Sequence, residues 1–198
     1  MNMTLSDVLG LIGQGVRDPR GTADVLIRTL APDRPPWSAL AAVTVLSVLL
    51  TEIAAMMVSG AGTQDVAPIS PLLMAALVTV LLSAFAFGAW KVGQAIGGRG
   101  TLAQTVLLTA FVQLILLAAQ VIQVALLFVA PPLSGIFLIV AALAGFWINV
   151  NVIDVLHGFG SLLKSFALVL LVTVGLALLL WLVLGLAGLT PGLAPMEA

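Results

Sequence analysis

The stretch LAQTVLLTAFVQLILLAAQVIQVALLFVAPPLSGIFLIVAALAGFWINVNVI, residues 102–153, contains no Asp, Glu, Lys, Arg or His. Its only interruption is the pair Pro131-Pro132. On either side of that pair the chain stays apolar for as long as the roughly 20 residues that a helix needs to cross a bilayer. A helix satisfies its own backbone hydrogen bonds, which makes it the element a continuous apolar run can form in lipid. The stretch therefore predicts two membrane-spanning helices, 102–130 and 133–153, joined in a tight hairpin.

Working outward, three more apolar segments lie at 38–58, 71–90 and 163–188. Their separators, Gly60–Ser70, Lys91–Thr101, Pro131-Pro132 and Asp154–Ser161, carry the turn residues and the charges. The expected fold class is all-α: a polytopic, five-transmembrane-helix bundle over 38–190, preceded by a segment 1–37 with short amphipathic helices and followed by a tail, 191–198. Composition agrees. The 198 residues are 62% hydrophobic and 8% charged, with a mean hydropathy of +1.26, whereas a soluble domain carries about 25% charged residues.

Several function classes fall away on composition. A net charge of −1 with seven basic residues lacks the dense basic surface of a nucleic-acid binder. Cysteine is absent, which removes disulfides, thiolate nucleophiles and cysteine-ligated metals. A single histidine, His157, excludes a histidine-built metal cage. No cofactor is expected. The beginning of the chain does not read as a signal peptide, because its first basic residue is Arg17 and the first long apolar run starts near Ser38.

In the N-terminal segment Leu5, Val8, Leu9, Ile12 and Val16 recur at the spacing of one helix face. Ser6 and Asp7 mark a start, Asp18-Pro19 breaks the pattern, and a second amphipathic stretch runs from Thr22 to Leu30. Both are expected as short helices on the membrane surface or against the bundle. Orientation follows from the basic residues. Arg17, Arg20, Arg28 and Arg34 precede the first span, Lys91 and Arg99 follow the second, and Lys164 follows the fourth. Five spans place all seven on one side, so the N-terminus is expected in the cytoplasm and the C-terminus outside. Trp37 and Trp90 fall where aromatic rings favour the headgroup layer, while Trp147 and Trp181 are expected deeper, as packing residues.

Polar residues inside the spans are patterned. Thr105, Thr109, Gln113, Gln120 and Gln123 form one stripe along span three, at about 100° per residue. Amides facing lipid would lose their hydrogen bonds, so span three is expected at the centre of the bundle and the leucine-rich span five at its edge. Glu52 is the only ionisable residue well inside a span, at a depth similar to that of Gln123, and a hydrogen bond from Glu52 to Gln123 or Gln120 is expected. At the end of span four, Asp154 and His157 share a helix face, a pair able to act as a base, a proton relay or half a metal site. Each feature has a plainer reading: interhelical contact for the glutamines and Glu52, and a solvated helix end for Asp154 and His157.

The stretch RDPRGTADVLIRTL (17–30), the turn GGRGTLAQTVLLTAFVQ (97–113) leading into span three and LHGFGSLLKSFAL (156–168) leading into span five carry a resemblance. With the five-span layout, the chain resembles the Yip family of Rab-interacting membrane proteins, in its bacterial form. The Asp–aromatic–Gly–Pro signature of the eukaryotic members is absent. Arg outnumbers Lys five to two, a usage that fits a GC-rich bacterial genome. The resemblance implies a non-enzymatic scaffold or adaptor of the bacterial inner membrane, for which no catalytic residues transfer. Its expected partners are the lipid bilayer and itself or other membrane proteins. The alternative is a small transporter or channel component using the polar groups of spans one and three.

Overall fold

The structure, a computed structural model, describes residues 4–30, 33–59 and 70–186. Among them are seven helices: α1 Leu5–Arg17, α2 Pro19–Leu30, α3 Trp37–Ser59, α4 Pro71–Ala95, α5 Leu102–Val129, α6 Pro131–His157 and α7 Leu162–Leu186. Helices α3 to α7 are the five that are long and apolar enough to cross a membrane. The tail 191–198, the end of the fifth expected span and most of the separator after span one lie outside the described residues.

Local chemistry sets the boundaries. Thr4 caps α1 in a reciprocal box: its hydroxyl accepts from the Asp7 N–H, and the Asp7 carboxylate accepts from the Thr4 N–H. The Thr4 hydroxyl, followed by the Thr4 N–H, holds the Asp7 carboxyl below its ordinary pKa. This cap is therefore complete at neutral pH and is lost as pH falls through the lowered value. Thr101 and Gln104 form the same box at the start of α5. Pro131 and Pro132 are the first residues of α6, not a loop before it, because the first helical turn needs no proline N–H. Only Ala130 separates α5 from α6.

Two spans run past their expected ends. Helix α4 continues beyond Trp90 to Ala95, and α6 continues beyond Ile153 through Asp154 to His157. At about 1.5 Å per residue, α5 and α6 are about 40 Å long, against about 30 Å of hydrocarbon. Their ends therefore project beyond the lipid core. Helices α1 and α2 pack against them as a hairpin, α1 on α5 and α2 on α6 and α5.

Helix α5 is central, touching α3, α4 and α6 along the bundle and both short helices. Helix α7 sits at the edge, against α4 and α6. The main core joins Ala23 and Leu26 of α2 to Phe111 and Ile115 of α5, Ile148 and Val152 of α6, and Leu168 and Val172 of α7. Small residues permit close approach: a Cβ on Gly145 would lie 2.6 Å from Leu116, and one on Gly88 3.0 Å from Val172. Trp147 and Trp181 depart from expectation. They are 56% and 63% exposed and face outward instead of filling the core.

Candidate functional site

The last turn of α6 gathers the groups that carry chemistry. Asp154 is buried to 1% exposure. Its Oδ2 accepts from Arg20 Nη2 of α2. Its Oδ1 accepts from the Ser161 N–H at 2.9 Å and from the Ser165 hydroxyl at 3.2 Å. The Asp154 carbonyl takes the Gly158 and Phe159 N–H groups. Gly158 makes this turn in the left-handed region, at φ +64°, where a side chain would be strained. One carboxylate thus ties α2, α6 and α7 together. It also lies at the start of α7, where the unpaired N–H groups of a helix favour negative charge.

His157, one turn further on, is also 1% exposed. Its ring stacks on Phe159, with centroids 5.1 Å apart and planes 20° from parallel. Gly93 of α4 and Gly98 of the following turn press on it so closely that a Cβ on either would overlap the ring. Neither ring nitrogen has a hydrogen-bond partner among the described residues. The His157 carbonyl accepts from the Arg99 N–H at 3.2 Å. A Cβ on Gly100 would stand 2.8 Å from Leu156. The two glycine-rich turns, 97–101 and 158–161, therefore meet at the end of α6.

The burial of both residues departs from the expectation of a solvated helix end at Asp154 and His157. Both are buried, and each has its own neighbours. The carboxylate is engaged by three donors, and Gly93 and Gly98 close over the imidazole. Arg20 and the three glycines, Gly93, Gly98 and Gly100, were missed as site residues. The RDPRG stretch signals Arg20 and the GGRG turn signals Gly98 and Gly100, whereas no motif marks Gly93.

The intramembrane polar residues separate in a similar way. Gln120 accepts from the Ser47 hydroxyl at 2.6 Å and donates to the Ser47 carbonyl at 3.0 Å and the Thr51 hydroxyl at 2.6 Å. This joins α5 to α3. Among the described residues no hydrogen bond links Glu52, which is half-buried, to Gln120 or Gln123. The backbone carbonyl of Gln123 accepts from Ser134 across the α5–α6 hairpin. Gln113 is half-buried, while Thr105 and Thr109 are buried and bond back to carbonyls one turn earlier. Among the described residues no three of His, Cys, Asp and Glu gather as a metal site would need.

Five long apolar helices with a packed N-terminal hairpin define a multi-pass α-helical membrane protein. The family model for the Yip1 domain matches residues 16–184, and the chain belongs to that family. The match begins at Val16, at the end of α1, and takes in α2 and nearly all of the bundle. Comparison with curated proteins and with solved structures returned no match.

Proposed function

We propose that the chain is a non-enzymatic scaffold or adaptor of a bacterial inner membrane, with the α1–α2 hairpin as its cytoplasmic contact surface. The observation that carries this reading is how its polar groups are used. Asp154, Ser47, Thr51 and Gln120 hold helices to one another, while the outer side of α2 stays open, with Val25 53% exposed and Leu30 42% exposed. All seven basic residues lie in α1 and α2, just before α3, or near the ends of α4, α5 and α7 on the hairpin side, which supports the N-in orientation.

Because the chain has no cysteine, single thiols are clean probes. Val25→Cys carrying a photoactivatable thiol crosslinker, in native membranes, is expected to give a discrete adduct heavier than the monomer. Recovery of monomer alone would overturn the contact-surface reading. Single cysteines at Thr109, Gln113, Gln120 and Gln123 are expected to resist a water-soluble thiol reagent, since these positions pack between helices. Labelling along the whole stripe would instead support a polar path for a transported solute.

A further inference from the structure

His157 is the chain's single histidine and is fully buried, yet its ring finds no polar partner among the described residues. The two glycines that face it cover different atoms. A Cβ on Gly93 of α4 would overlap Nε2 and Cε1, and one on Gly98 of the following turn would overlap Nδ1 and Cγ. Phe159 stacks on one face of the ring. The Ala89 carbonyl of α4 faces the ring without completing a hydrogen bond to it. A neutral imidazole leaves one N–H unpaired here, whereas an imidazolium would leave two, together with a full charge. Burying that charge unpaired costs far more than burying the neutral ring.

The ionisable groups on the surrounding elements offer the ring no counter-charge. Asp154, one turn earlier on α6, has its carboxylate taken by Arg20 of α2, Ser161 and Ser165. On α2, Asp18 caps its own helix and Asp24 pairs with Arg28. The others are cations. Arg99 of the 97–101 turn and Lys164 of α7 are exposed, and Lys91 of α4 lies over the Trp90 ring, 4.1 Å from its centroid. What the ring holds in place is a short segment. The Arg99 N–H bonds the His157 carbonyl, the Gly98 N–H bonds the Gly93 carbonyl at 2.8 Å, and Gly97 turns the chain at φ +94°. Gly100 covers Leu156, which is buried beneath it. A turn with three glycines and so few contacts is free to swing as a flap once the ring under it is no longer tolerated.

We propose that His157 is a pH-sensitive latch: neutral, it locks the 97–101 turn and α4 to the end of α6, and protonated, it leaves its place and lets that turn swing open. Opening uncovers Leu156 and the Gly93 face of α4, at the same end of the bundle as the Arg20–Asp154 contact. This goes beyond the scaffold reading and does not rest on it. The open state takes up the proton and the closed state excludes it, so acid favours opening below about pH 6.5, the ordinary imidazole value. Between pH 7.5 and 5.5 the ratio of open to closed rises by up to about tenfold.

The test uses the full chain in lipid nanodiscs, with spin labels on Arg99→Cys and Lys164→Cys, two exposed positions on either side of the latch. Their separation is expected to be single and short at pH 7.5. At pH 5.5 a longer distance should grow by about tenfold relative to it. Because the chain has one histidine, the ring signal of histidine-labelled protein in NMR belongs to His157 alone. It should report protonation over the same pH range. His157→Gln, carrying the same labels, is expected to keep the pH 7.5 distance at both values. His157→Leu takes its place if the first variant does not fold, as judged by circular dichroism. A distance that ignores pH when His157 is present would overturn the proposal, whether or not the ring takes up a proton. So would a pH response that survives in His157→Gln or His157→Leu, because it would name Asp154 or another carboxylate as the trigger.

Discussion

Asp154→Ala is expected to lower the unfolding free energy of the detergent-solubilised protein by about 3 kcal/mol, the low end of the range for breaking a buried ion pair. The low end applies because the Arg20 side chain is 47% exposed and water screens part of the interaction. The loss exceeds that of a surface pair because three donors, from Arg20, Ser161 and Ser165, lose their acceptor together. Arg20→Ala leaves the buried Asp154 carboxylate without its counter-charge and should cost a comparable amount. The readout is the thermal unfolding midpoint together with trypsin cleavage after Arg17 and Arg20. Both sites lie at the hairpin corner and become accessible when α2 leaves α6. If Asp154→Ala left melting and cleavage unchanged, the carboxylate would not be what holds α2 in place.

Gly93→Ala should be destabilising by about 1–3 kcal/mol although it adds a single methyl group. The added carbon would overlap the His157 ring, which Gly98 and Phe159 prevent from moving aside. His157→Ala, by contrast, empties a filled site and should cost a comparable amount as a cavity. Combined, the two changes should be markedly less than additive, since the methyl then enters the space the ring has left. Thermal unfolding of the four species in one detergent decides it. Strict additivity would mean that Gly93 and His157 do not act on each other.

Much of this fold was legible because lipid imposes a simple demand. Apolar runs at 38–58, 71–90, 102–130, 133–153 and 163–188 could be recognised without knowing any contact, and each corresponds to one long helix. The central place of α5 was legible for a related reason: a stripe of amides had to face protein. The ends were harder. A charge or a histidine after an apolar run reads as a boundary, yet Asp154 and His157 continue α6 because their neighbours come from elsewhere in the chain. Arg20 is 134 residues away from Asp154, and no local pattern announces such a partner. Depth alone suggests Gln123 or Gln120 as the partner of Glu52, and depth does not fix azimuth. Ser47 and Thr51 are one turn apart on the same face of α3, and that is the face the amide meets. Glu52 lies about 100° around the helix from Thr51.

The single residue between α5 and α6 also constrains how the protein is made. With Ala130 alone as the link, there is no hydrophilic loop to be threaded across the bilayer between these two helices. Neither can settle while the other stays behind, so they must enter the membrane as one folded hairpin. The decision about which end faces which compartment then falls on the charged segments around Lys91–Arg99 and Lys164, and the pair α5–α6 follows as a unit. A chain halted at Val129 during synthesis would expose an apolar helix whose partner has not yet emerged. The Ala130 link is thus expected to set when the two helices can insert as well as where the chain reverses.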